Sequence, residues 1–562
     1  METKSQGQSQ GDSPRLGHFR QILLWPLQLM PLREDSQIQN HWEFLETPGP
    51  DNPWREVDDE FTGVAGGLEF RHYSEFVTFL PHVQRFLYGE GRTRGGPPGE
   101  APIRVFRRKD VERVRCTYPD PDLPAQEFEV AHVDLYFFFD LDIVVLTVEI
   151  HAADLPLRYA QETMFRLGRA YPIYWEAGGD GGHCLKRTEW LGPDGTVLAT
   201  SDYERQDKFL GHVNQFRAPT LAAHWDWLLR PLVPHHSEVK GLLRYRQLEY
   251  HRMPVMAYLA LDDDPRTLDR SDFVRLALVT PPGAPGKMPF QVPDFESRFC
   301  YDRFWVTDPE GPPGARYLCC GEALMLVGSA HQPYFYTPGA SLLEQFRHQY
   351  FLLFLIPHMH KAALFMMADR LVYALKRMDI EQPESVKRFK REIRQLREIF
   401  LRFTHRYWFH HVSDQAQAKD LYQMSKRFLG TEELYVEVRE RIQDMAEYLE
   451  SDSLRRQANT VVRLTVVTAF GLIGTTVTGY FGMNLLGLDD LSPWVRLAYF
   501  AGVFLGVGWL TFYTVMKSKG LSDFLDLLSD EREPVTRKIG AFFGVWRAKR
   551  AGPPPAGGEK PQ

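Results

Sequence analysis

The stretch RRQANTVVRLTVVTAFGLIGTTVTGYFGMNLLGLDDLSPWVRLAYFAGVFLGVGWLTFYTVMKSK, Arg455 to Lys519, decides how the rest of the chain is read. No charged side chain occurs from Leu464 to Leu488, and none from Leu497 to Met516. A hydrocarbon core of roughly 30 Å needs about 20 helical residues at a 1.5 Å rise, and each run meets that length. Two membrane-spanning helices are therefore expected, 461–488 and 497–516, joined by a short external loop, 489–496. Arg455, Arg456 and Arg463 precede the first run and Lys517 and Lys519 follow the second, whereas the loop holds Asp489, Asp490 and only Arg496. By the positive-inside rule both termini face the cytoplasm, with the hairpin in the plasma (inner) membrane.

The first run closes on Gly482-Met483-Asn484, after the aromatic pair Tyr480-Phe481. Together with Asn459, Arg463 and Leu464-Thr465 upstream, one last span downstream and the C-terminal placement, this motif resembles the signature of CorA-type magnesium channels. The resemblance is strong over about Leu434 to Lys519. It implies a homopentamer in which the first span of each subunit lines a central pore and the tripeptide closes its outer mouth. It also implies a long stalk helix entering the bilayer. One position departs from the family, which often has a proline about nine residues before the motif glycine; this chain has Ile473 there, so the proline kink is not expected.

A single hairpin encloses no polar path, so transport requires several copies. Counting back from Asn484, Gly479, Thr475, Leu472, Thr468, Leu464 and Val461 recur at steps of three to five and share one helical face. That face alternates small, hydroxyl and apolar side chains and carries no charge. Mg²⁺ gives up its waters reluctantly, and such a lining suits a hydrated ion. The Asn484 carbonyl would hold the ion through its water shell, Thr475, Thr468 and the Gly479 backbone would accept water hydrogen bonds, and Leu472 and Leu464 would form apolar constrictions. Asp489 and Asp490 would concentrate cations at the mouth. The competing reading of each threonine is a bond to its own i−4 carbonyl, and that of Gly479 and Gly482 is close helix packing.

Composition narrows the remaining classes. The 562 residues carry a net charge of −7, with no basic excess of the kind a nucleic-acid partner needs. Five cysteines without a Cys-x-x-Cys pair speak against a disulfide framework or a structural zinc site. The N-terminus has no apolar run of signal-peptide type. No enzyme is expected: GGDGG (178–182) lacks the strand-then-helix setting of a nucleotide loop, and GAPGKM lacks the final Ser/Thr of a P-loop. No cofactor is expected beyond the transported Mg²⁺ or another divalent cation such as Co²⁺ or Ni²⁺.

The expected fold is an α/β cytoplasmic domain followed by a long helical stalk and two C-terminal transmembrane helices, assembled as a CorA-like pentamer. Residues 1–17 read as a disordered polar tail and 18–340 as the α/β domain with insertions. Within that domain Val133 to Phe139 and Ile143 to His151 read as adjacent strands around Asp140-Leu141-Asp142, with Asp154 and Pro156 placed to cap a helix. Val274 to Thr280 and Arg316 to Ser329 are further strand candidates. Residues 341–460 read as helical. The apolar run YFLLFLIP is cut by Pro357, His358, His360 and Lys361, which makes it a core helix; the two histidines lie on different sides of it and share a metal only if it breaks at Pro357. Phe389, Ile393, Leu396, Phe400 and Phe403 form an amphipathic stripe. A further helix ends at Leu429, and Thr431 is placed to cap the next, which runs unbroken toward the membrane for about 53 residues, or roughly 80 Å. Residues 517–562 combine an amphipathic basic segment, placed at the anionic inner leaflet or on the protein itself, with a disordered tail. Asp140, Asp142 and Asp262 to Asp264 read as loop or cap residues rather than metal sites. Two other functions stay open: a zinc transporter of the same superfamily, and a membrane-anchored sensor or scaffold without transport.

Overall fold

A computed structural model describes residues 14–31, 41–46, 52–57, 75–89, 102–237, 243–249, 251–284, 286–308, 310–337, 341–379, 382–482 and 492–516. Its contacts divide the chain into a unit ending at Asp444 and one beginning at Met445, and each is taken by itself.

Among the described residues the first unit is built on one mixed sheet of fourteen strands. Its central strand, β1 (Arg15–Pro31), starts inside the segment read as a polar tail. On one side β1 pairs antiparallel with β3 (Ile143–Pro156), from Arg15↔Pro156 to Gln28↔Ile143, and β3 pairs antiparallel with β2 (Gln126–Phe138). On its other side β1 pairs with β4 (Val255–Leu261) as far as Leu23↔Val255, then with Leu243–Gln247 from Leu27 onward. Pro26 falls in the gap between those two partners. A proline cannot donate to a ladder, and here its strand changes neighbours where the missing N–H would point. Parallel to β4 runs β6 (Ala323–Ser329), which pairs in turn with β5 (Arg316–Cys319).

The expected strand pair around Asp140 is present, with Phe137 opposite Val144, and Asp140 takes the left-handed φ of 62° at the turn. The Arg316–Ser329 candidate divides into two strands, with Gly321 standing at φ 87° between β5 and β6. Two expectations are corrected. Asp154 does not cap a helix: β3 stays paired with β1 as far as Pro156, helix α1 (Leu157–Arg166) starts one residue later, and the Asp154 carboxylate accepts from Arg15 Nε at 2.8 Å. Val274 to Thr280 is not a strand but mostly the helix Arg270–Leu278. A short apolar run fits either state, and here buried Arg275 decides it, donating to the backbone carbonyls of Ala284 and Lys287 from a helical position.

The longer helices α2 (Phe351–Lys376), α3 (Pro383–Arg406) and α4 (Ala416–Leu429) belong to the same unit. Helix α2 lies on β1 and β3 and contacts α3 and α4. It continues through Pro357, preceded by a wide π turn at Phe346–Tyr350. Among the described residues the helical run Leu342–Lys376 is the one long and apolar enough to cross a membrane, yet 78% of its most apolar window is buried by protein. It is a core helix as expected, but because protein buries it: Pro357, His358, His360 and Lys361 do not interrupt it. All five apolar stripe residues of α3 are buried, Phe403 fully so, each contributing about 1.5–3 kcal/mol by removal from water.

Gly430, at φ 62°, is all that separates α4 from α5 (Thr431–Gly482). Thr431 is therefore the first helical residue, not a cap, and its buried hydroxyl has no hydrogen-bond partner. At 52 residues α5 is about 78 Å long, and it shows no break at Ile473, in keeping with the missing proline. The last helix, α6 (Pro493–Met516), starts earlier than the expected 497, with Pro493 in the first-turn position that proline favours.

Candidate functional site

The residues read as a pore face fall on the last third of α5. The backbone of Leu464, Thr468, Leu472, Thr475, Gly479 and Gly482 is helical throughout. Leu464 is 66% exposed and Val461 57%; Thr468, Thr475, Gly479 and Gly482 are exposed as well. The side chain of Leu472, and Met483, Asn484, Asp489 and Asp490 altogether, lie outside the described residues, as does 517–562. Taking Thr468 as zero, 100° per residue puts Thr475 at about −20°, Gly479 at +20° and both Leu464 and Gly482 at −40°. One uncharged stripe therefore holds these positions in register.

The threonines on it show the competing local bond. Thr468 Oγ1 donates to the Leu464 carbonyl at 2.9 Å, Thr475 Oγ1 to that of Gly471 at 2.9 Å, and Thr478 Oγ1 to that of Gly474 at 2.9 Å. Gly471, Gly474, Gly479 and Gly482 have nothing within 4 Å of where a Cβ would stand. Neighbouring α6 exposes Trp494, Leu497, Tyr499, Phe504, Leu505 and Trp509 at half or more of their surface. Arg496 is the one charged residue in the sequence of α6, and an otherwise uncharged helix so exposed needs lipid or other helices around it.

In the first unit Asp140, Asp142 and Asp264 are held by arginines, His41 and a backbone N–H. Asp140 Oδ1 accepts from Arg402 at 2.8 Å and its Oδ2 from Arg406 at 3.1 Å, both on α3. Asp142 lies 2.6 Å from His41 and 2.6 Å from Arg370 of α2. Burial alone would raise the Asp142 pKa, but Arg370 and the His41 hydrogen bond outweigh it and hold the carboxyl below its usual range. Asp264 accepts from the Arg266 backbone N–H at 2.9 Å and caps the turn Pro265–Thr267. Among the described residues no three His, Cys, Asp or Glu side chains are grouped to hold a metal. His358 Nδ1–H donates to Phe354 O at 2.8 Å and His360 Nε2–H to Tyr407 O; burial pushes both imidazoles down to about 3, so they are neutral packing residues. The cysteines are all free thiols.

One polar cluster escaped the sequence reading. Glu149 of β3 is buried against Arg20 of β1, and its Oε1 also accepts from Arg347 of the π turn at 2.9 Å. Burial would raise its pKa, but the two guanidinium groups pull it down to about 2. The cluster ties the sheet to the start of the helical layer. Its partners stand 129 and 198 residues apart in the chain, so no local pattern announces them.

Residues 372–516 match the family model described as CorA-like Mg2+ transporter protein. The family is one of divalent-cation transporters set in membranes. No curated protein and no solved structure matches the chain.

Proposed function

We propose that this protein is a homopentameric channel that carries a hydrated divalent cation, Mg²⁺ first, inward across the plasma (inner) membrane. The observation that carries the reading is the uncharged, exposed stripe Leu464–Thr468–Thr475–Gly479–Gly482 on a helix inside the matched segment. Five copies of α5 turning this stripe inward would line one path, with Leu464 and Leu472 as apolar constrictions and the Gly482-Met483-Asn484 ring at the outer mouth. The apolar girth of α6 would then face lipid. A fixed carboxylate in the path would bind Mg²⁺ by stripping its waters, which is slow; weak acceptors act through the water shell and release the ion again. Met483 favours Mg²⁺ over Zn²⁺, Co²⁺ and Ni²⁺ are further candidates, and Asp489 and Asp490 would attract cations outside.

The experiment is ion uptake by the full-length protein in proteoliposomes held inside-negative, wild type against Asn484→Ala, with Mg²⁺, Co²⁺ and Zn²⁺. Mg²⁺ influx that the substitution abolishes supports the channel. Well-folded pentamers that pass no ion at low or high internal Mg²⁺ support the anchored sensor instead.

A further inference from the structure

We propose that copies of this chain are joined head to tail by two oppositely charged helix faces, the basic outer face of α3 on one copy and the acidic outer face of the first turns of α5 on the next; this rests on the homopentamer reading above. Helix α3 carries eight Lys and Arg against three Glu. Measured from buried Leu396 at 100° per residue, its apolar residues Phe389, Ile393 and Phe400 stand at about +20° to +60°, whereas Arg391, Arg394 and Arg397 stand at about −140°, +160° and +100°. All three arginines are exposed. Ion pairs among the described residues hold Lys387 to Glu384, Arg388 to Glu392, and Arg402 and Arg406 to Asp140, and none engages Arg391, Arg394 or Arg397.

In α5 the residues as far as Asp444 belong to the first unit and include five acids against Arg439 and Arg441. Measured from buried Val438, buried Ile442 stands at about +40°, and Glu433, Glu440 and Asp444 at about −140°, −160° and −120°. These three carboxylates are exposed and form one stripe opposite the buried side. Arg439 and Arg441 stand aside from it at about +100° and −60°, the second paired with Glu437. Within one copy the two helices meet through their apolar sides: Tyr435 stacks on Phe400 with ring centroids 5.5 Å apart, and its hydroxyl lies 3.5 Å from Thr404 Oγ1. Both charged faces are turned away from that contact, so a complement for each has to come from outside the copy.

The same chain offers one complement for both. The arginines span about 9 Å of the α3 axis and fit within the roughly 16 Å of the acidic stripe, and a guanidinium can take a carboxylate through two parallel hydrogen bonds. A two-fold dimer through α3 would set arginine against arginine, a like-charge juxtaposition that is costly. A basic face on a different, acidic face is a heterologous contact, which builds a closed ring when its rotation allows. The charge pattern thus favours a cyclic assembly over a two-fold pair.

The test follows the mass of the full-length protein in detergent on dilution. It compares wild type, the triple variant Arg391→Glu, Arg394→Glu, Arg397→Glu, the triple variant Glu433→Arg, Glu440→Arg, Asp444→Arg, and the two variants co-expressed with different tags. All six positions are exposed, and an unchanged thermal unfolding midpoint confirms that each variant folds. We expect either reversal to raise the concentration at which the assembly dissociates by roughly tenfold or more, and the advantage of wild type to shrink in high salt. Co-expression sets each reversed face against one of opposite sign, and should recover most of the loss in assemblies that carry both tags. Reversed variants as resistant to dilution as wild type would overturn the proposal and leave the pentamer reading intact. Weakening without recovery on co-expression would overturn it too, since the faces would then act within one copy or toward another anionic or cationic partner. If wild type is monomeric at every concentration, the pentamer reading falls and this proposal with it.

Discussion

Glu149→Gln removes one negative charge from between two buried guanidinium groups while keeping the side chain's size. In the folded chain Glu149 titrates at about 2 against an ordinary 4.5. That difference, at about 1.4 kcal/mol per pH unit, corresponds to about 3 kcal/mol of stability at neutral pH. The sign follows from the depressed value: the contribution is complete above 4.5 and fades as pH falls from 4.5 toward 2. Glutamine has no such contribution, so the gap between wild type and variant should be about 3 kcal/mol at pH 7 and close as the medium becomes acid. Arg20 and Arg347 are then left without their shared carboxylate, which acts in the same direction. Denaturant unfolding of the full-length protein in detergent reads this through tryptophan fluorescence, since Trp25 and Trp225 are buried in the same unit with ring centroids 6.1 Å apart. A variant within about 0.5 kcal/mol of wild type at pH 7, the ordinary scatter of surface changes, would refute the reasoning.

Neutral, buried His358 and His360 make the first unit acid-sensitive: unfolding lets both rise from about 3 to 6.5, so stability is complete above 6.5 and each costs about 2 kcal/mol by pH 5. Equal unfolding midpoints at pH 7.5 and pH 5 would contradict this. Gly321→Ala places a Cβ 2.7 Å from Phe428 Cβ at a φ of 87°, and should lower stability by about 2 kcal/mol or more in thermal unfolding. Lys426, buried beside Glu432 and over the Trp408 ring at 4.9 Å, fastens the base of α5 to α4. Lys426→Met should cost about 2 kcal/mol and speed amide exchange around Gly430; unchanged exchange there would count against the clamp.

Which parts of this fold could be read in advance depended on how local their causes are. The stripe of α3 and the turn at Asp140 carry their periods and turn residues in about fifteen positions or fewer, and both formed as expected. Strand β1 did not announce itself, because a strand buried between two partners shows no polar and apolar alternation, and Pro26 argues against any strand until the change of partner opposite it is known. Val274 to Thr280 was ambiguous by length, and the carbonyls that Arg275 reaches lie 9 and 12 residues away. The Arg20–Glu149–Arg347 cluster depends on contacts across most of the first unit. In the candidate site, spacing alone put Thr468, Thr475 and Gly479 on one face, while the direction of each hydroxyl became visible only with the backbone carbonyls in place.

The claim that the C-terminal helices conduct ions is tested most directly by Mg²⁺ influx into proteoliposomes at a set membrane potential. A divalent ion gains about 4.6 kcal/mol per 100 mV, so passive conduction predicts internal Mg²⁺ that rises toward about three decades above external at −100 mV, with no energy source but the potential. Influx that tracks the imposed potential and reverses with its sign is the result this account predicts. Reconstituted protein that leaves internal Mg²⁺ unchanged at every potential would contradict it.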